Sequence, residues 1–285
     1  MYTMLIMETF TLLLDKNKYK ERVLMNKKKA IITGLAISAL FLPAALIIGK
    51  RAVSSSLGND SKYDLDHTEK LPVSKLRGRK IIFLGSSVTY GAASEGDSFV
   101  EFMQKKDGII PLKEAVSGTT LVDEEVKGKP SYISRMKTID CNFEADCFVC
   151  QLSTNDATLK KPLGTVSDSF DMNSFDVRTV AGAIEYIIAY ARKTWNCPVL
   201  FYTGTRYNSR QYEKMIELLK QIQKKWNIEV LDLWNDEEMN RVSRKDYLVY
   251  MADGIHPTKA GYREWWTPKF ERKLETMIIK EEKDA

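Results

Sequence analysis

Residues 81–91 read IIFLGSSVTYG. Four apolar residues run directly into a glycine and two serines, Ser86 and Ser87. A short, uninterrupted apolar run of this kind is typical of a strand that is buried on both faces of a parallel sheet. Ligands of such sheets bind beyond the carboxyl ends of the strands. A hydroxyl placed directly after this strand is therefore a candidate reactive group.

Similar apolar runs alternate with helical patterns along the rest of the chain. The runs KEAV, CFVCQL, PVLFYT and EVLDLW are predicted strands, and helices are predicted over residues 97–106, 132–138, 177–193 and 210–226. In the last of these helices, apolar residues recur three or four positions apart, as at Tyr212, Met215, Ile216, Leu219, Ile222 and Trp226. Alternation of strand and helix predicts an α/β fold with a parallel sheet and helices on both faces.

A further stripe of large apolar residues steps by four near the C-terminus: Tyr262, Trp266, Phe270, Leu274 and Ile278. This spacing predicts a helix with one buried face. We assign the aromatic side chains to the hydrophobic core and not to a cofactor site.

The first 51 residues differ from the rest in charge and hydropathy. They hold nine Lys or Arg and three Asp or Glu, whereas the remainder holds 34 and 35, so the net charge of +5 belongs to the N-terminus and indicates no nucleic-acid-binding surface. An uncharged apolar run begins at Ala30 and ends at Gly49. About 20 such residues span a bilayer as a helix. The richer basic cluster, residues 16–29, places the N-terminus in the cytoplasm and the domain outside.

These patterns divide the chain into four segments. Residues 1–29 are a short cytoplasmic segment, 30–49 a transmembrane signal anchor, 50–78 a polar linker, and 79–285 the α/β domain. We favour an uncleaved anchor because no clean small-x-small cleavage site is present. Two alternatives stay open: translation starts at Met25 and not at Met1, or residues 30–49 form a buried helix of a soluble intracellular protein.

Cys147 and Cys150 form a CxxC pair, but its setting indicates neither redox nor metal chemistry. The pair lies within a predicted strand, where residues three apart point to opposite faces. A redox CxxC needs a helix N-terminus that lowers the pKa of a thiol. We therefore expect these cysteines to be buried apolar thiols.

Small or polar residues follow the predicted strands at the same rim of the sheet. Ser87 follows the first strand and has the position of a serine nucleophile. Gly118 follows the second and can bring its backbone N–H close to a ligand, and Asn155 follows the third and can supply a side-chain amide. Together with the Ser87 N–H, these groups are candidate donors to an oxyanion.

Other residues near this rim either contact substrate or are solvated loop residues, and both interpretations stay open. They are Thr154, Arg206 and Tyr207, with Lys160 and Lys161 as further candidates. The segment 157–176 is longer than a minimal connection, so we expect it to wall or cover the site.

A serine nucleophile needs a base, and the chain has two histidines. His67 lies among acidic residues of the polar segment, where solvation is the simpler interpretation. His256 lies in MADGIHPTKAGY, three residues after Asp253. That spacing lets one tight loop aim the carboxylate at one ring nitrogen while the other nitrogen faces outward.

Taken in order, these blocks resemble the SGNH hydrolases, also called GDSL-type lipases and esterases, over about residues 79–279. FLGSSVTYG is similar to the family's nucleophile block, AVSGTT to its glycine block, STND to its GxND block, and DGIHPTKAGY to its Asp-His block. Two positions depart from the family pattern: Ser86 replaces the usual Asp, and Ser153 replaces the Gly of GxND.

The resemblance implies a three-layer α/β/α, flavodoxin-like fold that uses no metal and no organic cofactor. It implies catalytic roles for Ser87, Asp253 and His256, with an oxyanion hole formed by Ser87, Gly118 and Asn155. The implied activity is hydrolysis of short acyl esters through an acyl-enzyme on Ser87.

With the predicted anchor, this activity becomes that of a membrane-bound extracytoplasmic esterase. Its expected partners are an acylated carbohydrate or lipid, including O-acetyl groups on carbohydrate, and the membrane through residues 30–49. Two alternatives use the same fold. In an O-acyltransferase, a sugar hydroxyl replaces water as the acyl acceptor. In a catalytically silent domain, the fold serves glycan binding or scaffolding.

Overall fold

The computed structural model describes the backbone of residues 54–284 and the side chains as far as residue 278. Within this part of the chain, no helix combines the length and the apolar character needed to cross a membrane. The predicted anchor at residues 30–49 lies outside the described residues and stays a prediction.

Five parallel strands form one sheet. They are β1 (Lys80–Gly85), β2 (Ile110–Ala115), β3 (Cys147–Gln151), β4 (Val199–Tyr202) and β5 (Glu229–Leu231), in the spatial order β2-β1-β3-β4-β5. The register pairs Gly85 with Ala115 and Leu84 with Cys150, so the carboxyl ends of the first three strands meet at one rim. The predicted parallel sheet is confirmed.

Helices lie on both faces of this sheet. They are α1 (Ser87–Tyr90), α2 (Phe99–Lys106), α3 (Tyr132–Met136), α4 (Thr154–Thr158), α5 (Val180–Trp195), α6 (Arg210–Trp226), α7 (Glu237–Asn240), α8 (Arg244–Tyr250) and α9 (Thr267–Asp284). Apolar residues of α3, α5 and α6 form the core on one face, and those of α2 and α9 form it on the other. This arrangement confirms the three-layer α/β/α fold.

Local sequence explains where two of the predicted helices begin. Ser98 caps α2 in a capping box, in which its side chain bonds the helix backbone and Glu101 bonds the Ser98 N–H. Ser209 caps α6 by accepting a hydrogen bond from Tyr212 N at 3.2 Å. The four-residue helices α1 and α7 were not predicted, because so few residues carry no readable periodicity.

The C-terminal aromatic stripe is buried as predicted, but its first part is not an α-helix. Residues Gly261–Trp266 form a π-helix that leads into α9. Tyr262, Trp266 and Phe270 are fully buried. The π-helical turn contains only the first step of the stripe, from Tyr262 to Trp266, and the later residues of the stripe lie in α9.

The two cysteines of the CxxC pair point to opposite faces of the sheet. Cys147 belongs to the core beneath α2 and α9, and Cys150 belongs to the core beneath α5 and α6. Both residues are buried and neither forms a disulfide, which confirms their interpretation as apolar core residues.

The described part of the polar segment, residues 54–78, differs from an extended linker. It contains two short 3-10 helices, Ser61–Tyr63 and Leu65–His67, and it buries Leu76 completely. Backbone hydrogen bonds join Leu71 N to Lys106 O and Gly78 N to Gly108 O. The segment is folded because its polar groups find partners on the domain.

Candidate active site

Ser87, His256 and Asp253 form one hydrogen-bonded chain. Ser87 Oγ lies 2.8 Å from His256 Nε2, and His256 Nδ1 lies 2.9 Å from Asp253 Oδ2. A carboxylate can only accept, so Nδ1 carries the ring proton and Nε2 is the acceptor for the Ser87 hydroxyl. The structure thus brings together three residues that the sequence separates by up to 169 positions.

A tight loop holds the Asp253 carboxylate in place. Asp253 Oδ1 accepts the backbone N–H groups of Ile255 and His256, each at 2.8 Å. Burial alone would raise the pKa of Asp253, but the His256 ring and these two backbone donors hold it well below its usual range. The carboxylate therefore stays ionised and orients the imidazole over a wide pH range.

Ser87, the candidate nucleophile, lies at the first position of α1, two residues after the end of β1. A backbone N–H at this position has no partner within its own helix, so the Ser87 N–H is available to a ligand. The turn is supported from below by Gln151 at the end of β3, whose Oε1 accepts Ser86 N at 2.9 Å and Thr89 Oγ1 at 2.8 Å. Ser87 itself is 7% exposed.

Gly118 and Asn155 lie at the same rim. Gly118 has φ +86°, a left-handed conformation that favours glycine, and an added Cβ there would meet nothing nearer than Lys129 Nζ at 3.9 Å. Asn155 Nδ2 donates to Thr119 O at 2.9 Å, which ties the two blocks together. The amide has a second N–H, which can serve an oxyanion.

Asp156 locks the segment after Gly118 against α4. Its carboxylate accepts Leu121 N at 2.8 Å and Val122 N at 3.1 Å. Burial raises the pKa of Asp156 to about 6, although the hydrogen bonds from Ser153 and from these two backbone groups oppose the shift. This carboxyl group holds in place the backbone that follows Gly118.

The two departures from the family pattern have local structural roles. Ser86 is fully buried and donates its backbone N–H to Gln151. Ser153 caps α4, because its Oγ accepts Asn155 N at 3.2 Å and Asp156 N at 3.3 Å. Ser86 follows β1 and Ser153 follows β3, which are neighbouring strands. Both serines therefore stabilise residues at the switch point of the sheet, where β1 lies between β2 and β3.

Sequence reasoning missed Arg135, a buried cation beside the rim. Its Nη2 donates to Gly85 O at 2.8 Å and to Thr119 Oγ1 at 3.0 Å, and its Nη1 donates to Glu114 O at 2.9 Å. It thereby joins the end of the nucleophile strand to the residue after Gly118. The sequence signal that could have identified Arg135 is its charge within the short, otherwise apolar helical pattern of residues 132–138.

The residues predicted to contact substrate differ in placement. Thr154 is buried and Arg206 is exposed. Tyr207 is half-buried and packs beside Tyr212 and Trp234. Its Cβ lies 3.8 Å from where a Cβ on Gly254 would be, so Tyr207 lies beside the loop between Asp253 and His256.

The segment 157–176 is held along the helical layer. Lys225 Nζ, in the last turn of α6, donates to Ser167 O at 2.6 Å and to Ser169 O. Ser167 N donates to Glu185 Oε2 on α5 at 2.8 Å. Because the last turn of α6 is remote from the carboxyl ends of the strands, the middle of the segment does not cover Ser87. Near the start of the same segment, Lys161 Nζ lies 2.5 Å from Glu124 Oε2.

Several solved structures are similar to the chain. A protein from Lactobacillus plantarum shares 20% identity with a TM-score of 0.55, over 72% of this chain and 98% of that chain. A candidate GDSL-like lipase from Bacteroides ovatus shares 17% identity with a TM-score of 0.51, over 71% and 99%. A candidate lipolytic protein of the G-D-S-L family from Desulfitobacterium hafniense shares 16% identity with a TM-score of 0.51, over 69% and 100%.

At these identities, the structural likeness shows the fold alone. No curated protein sequence matches the chain. The GDSL-like Lipase/Acylhydrolase family matches residues 81–266. This match covers well over half of the chain and contains every residue of the hydrogen-bonded chain from Ser87 to Asp253. The chain therefore belongs to the GDSL-like lipase/acylhydrolase family, the SGNH hydrolases that its motifs resemble.

Proposed function

We propose that the protein is a serine esterase that cleaves short acyl esters through an acyl-enzyme on Ser87. The observation that carries the proposal is the 2.8 Å contact between Ser87 Oγ and His256 Nε2, with Asp253 behind the ring. A hydroxyl, a base and an orienting carboxylate in this order are the parts that acyl transfer requires. Family membership supports the same class of reaction.

In the first step, His256 Nε2 accepts the Ser87 proton as Ser87 Oγ attacks the acyl carbon. The carbonyl π electrons move to oxygen, and the oxyanion meets the N–H groups of Ser87 and Gly118 and the Asn155 amide. The protonated imidazole then gives its proton to the leaving alkoxide, which departs as an alcohol. Water repeats the sequence on the acyl-enzyme, with His256 again as base, and releases the carboxylic acid.

We infer that the acyl group is small and that its carrier is a carbohydrate exposed outside the cell. The supporting argument is the predicted anchor at residues 30–49, which would hold the domain on the outer side of the cell membrane, near such polymers. Cell fractionation tests the anchor: the full chain should sediment with membranes and require detergent for release. Recovery in the cytosol would refute this placement without affecting the chemistry.

A fluorophosphonate probe tests the nucleophile directly. We expect the native chain to be labelled, Ser87→Ala to lose labelling completely, and His256→Ala to label and hydrolyse slower by up to about 10⁶-fold, because the base is absent. Ser174→Ala, which removes an exposed serine, is the matched control and should behave as the native chain. Labelling that survives Ser87→Ala would refute the assignment, and a native chain that never labels would indicate a silent domain.

Aryl esters of increasing acyl length, together with acetylated sugars, test the substrate class. We expect kcat/KM to be highest for acetyl esters and to fall as the acyl chain lengthens. A preference for long acyl chains would contradict the short-acyl proposal and would leave the catalytic residues unaffected.

A further inference from the structure

A segment outside the family-matched region contacts both loops of the candidate active site. We call residues 54–68 the clasp; they precede the start of the family match at residue 81. The clasp touches the turn after the nucleophile helix and the loop after His256. Its side chains make these contacts through hydrogen bonds and one ion-pair network.

Asn59 bridges the two loops with the two ends of one amide. Its Nδ2 donates to Ala93 O at 2.8 Å, and its Oδ1 accepts Lys259 N at 2.9 Å. The oxygen and nitrogen of an amide have opposite roles, so a single side chain satisfies a carbonyl on one loop and an N–H on the other. Few other side chains of this length can do both.

The ion-pair network forms a second bridge between the same two loops. Lys259 Nζ lies 2.7 Å from Asp64 Oδ1 of the clasp and 2.5 Å from Glu95 Oε2 of the turn after α1. The Lys259 side chain is only 7% exposed. Burial alone would lower the pKa of Lys259, but the two carboxylates raise it and keep the ammonium charged.

On the nucleophile side, the turn that the clasp contacts is bonded directly to Ser87. Gly91 N and Ala92 N both donate to Ser87 O, at 3.0 and 2.9 Å. Glu95 has φ +61°, a conformation that is uncommon for a residue with a side chain. Its bond to Lys259 helps to hold this turn in place.

On the base side, the clasp contacts residues two and three positions after His256. Gly58 packs so closely that an added Cβ would come within 2.1 Å of Val249 O and 2.4 Å of Thr258 Oγ1. Thr258 Oγ1 in turn donates to Val249 O at 2.6 Å. The clasp therefore fixes the loop that carries the base through both its backbone and its side chains.

We propose that the clasp holds the nucleophile turn and the histidine loop in register, so that Asn59 and Asp64 are positioning residues for the Ser87–His256 pair. The part of this inference that concerns catalysis rests on the proposed function. Ser87 and His256 meet through a single hydrogen bond, and a misplacement of about 1 Å can cost about 10²-fold in rate. Two independent bridges between their loops oppose such a misplacement.

The variant Asn59→Ala tests the bridge, with Asn173→Ala as matched control. Asn173 is exposed and bonds only within its own turn, to Asp171. We expect Asn59→Ala to lower kcat for an aryl acetate about tenfold, with KM within about twofold, because orientation and not substrate binding is disturbed. The control should change neither value. Asn59→Asp keeps the acceptor for Lys259 N but loses the donor to Ala93 O. Its kcat should therefore lie between that of Asn59→Ala and that of the control.

Amide hydrogen exchange tests the same proposal without relying on activity. In Asn59→Ala, exchange should accelerate in residues 91–97 and 251–259 and stay unchanged in β3 and α5. Unchanged kcat, or unchanged exchange in both loops, would overturn the proposal. If the native chain lacks esterase activity, the exchange experiment still decides whether the clasp holds the loops, so the two failures are distinguishable.

Discussion

Ser86 and Thr89, which lie before and after Ser87 in the chain, both donate hydrogen bonds to the buried side chain of Gln151. Gln151 Oε1 accepts the backbone N–H groups of Ser86 and Thr89, at 2.9 and 3.3 Å, and also the Thr89 hydroxyl at 2.8 Å. Tyr202 OH completes the network at 2.6 Å from Thr89 Oγ1. The direction of the nucleophile therefore depends on an acceptor that never contacts substrate.

Replacing Gln151 with Leu removes this acceptor while roughly keeping its volume. We expect the free energy of unfolding to fall by about 2–4 kcal/mol, because buried N–H and hydroxyl donors lose their partner. We also expect kcat to fall, because the turn that carries Ser87 is no longer held. Urea unfolding and aryl acetate hydrolysis measure the two effects.

Gln104→Leu on α2 is the control, because Gln104 is exposed. Its effect on the free energy of unfolding should stay within about 0.5 kcal/mol. Equal losses at the two positions would show that the buried network adds nothing to stability.

At the scale of elements, Arg135 connects a helix to two strand ends. It lies on α3, and its guanidinium reaches Gly85 O at the end of β1 and Glu114 near the end of β2, where Oε1 accepts at 3.1 Å. Its Nη2 also reaches Thr119 Oγ1. The planar group spreads its donors over three chain segments, which a single ammonium cannot do.

We therefore expect Arg135→Lys to be far from conservative. The free energy of unfolding should fall by about 2–4 kcal/mol, because buried acceptors lose their donors when the fork is removed. Urea unfolding measures the loss. Arg241→Lys is the control, because Arg241 is 77% exposed and its ion pair with Glu237 joins the residue after α7 to the first residue of that helix. A loss at position 135 no larger than that at position 241 would contradict the bridging role.

At the scale of the whole molecule, α9 returns across one face of the sheet and meets the end of α2. Glu271 on α9 lies beside Lys106, with Nζ 3.0 Å from Oε2, and near the buried Asp107. Burial raises the pKa of Glu271 most strongly, Lys106 opposes this, and the charge of Asp107 adds to it, so that the pKa rises to about 7. The folded protein thus holds a proton here that the unfolded chain releases near pH 4.5.

The sign of the pH dependence follows from this raised pKa. The contribution of Glu271 to stability is fully present below about pH 4.5 and is lost as pH rises through about 7. Glu271→Gln carries an uncharged donor at every pH. The free energy of unfolding of this variant should exceed that of the native chain increasingly from pH 5 to 8, on the order of 1–2 kcal/mol after allowing for solvent screening.

Urea unfolding at several pH values measures the difference, with Glu275→Gln, one turn further along α9, as control. A native-minus-variant difference that does not change between pH 5 and 8 would contradict the raised pKa. The control should show no comparable trend.

Local sequence patterns were sufficient to predict the parallel sheet, the longer helices and the order of the candidate catalytic residues. Periodicity is a local property, so the stripe from Tyr212 to Trp226 could be assigned to a helix without knowing its partners. The motifs around Ser87 and His256 were readable because each short block carries its own chemistry. The N-terminal anchor, outside the described residues, stays a prediction on the same local grounds.

The tertiary structure alone decided which polar side chains hold the site together. Gln151 meets Ser86 across 65 positions, Arg135 meets Gly85 across 50, and Asn59 meets Lys259 across 200. The sequence does not show which partners these polar residues have, because hydrogen-bond partners distant in sequence leave no periodic pattern. Burial creates their importance: an unpaired donor or acceptor is costly only once folding has removed it from water.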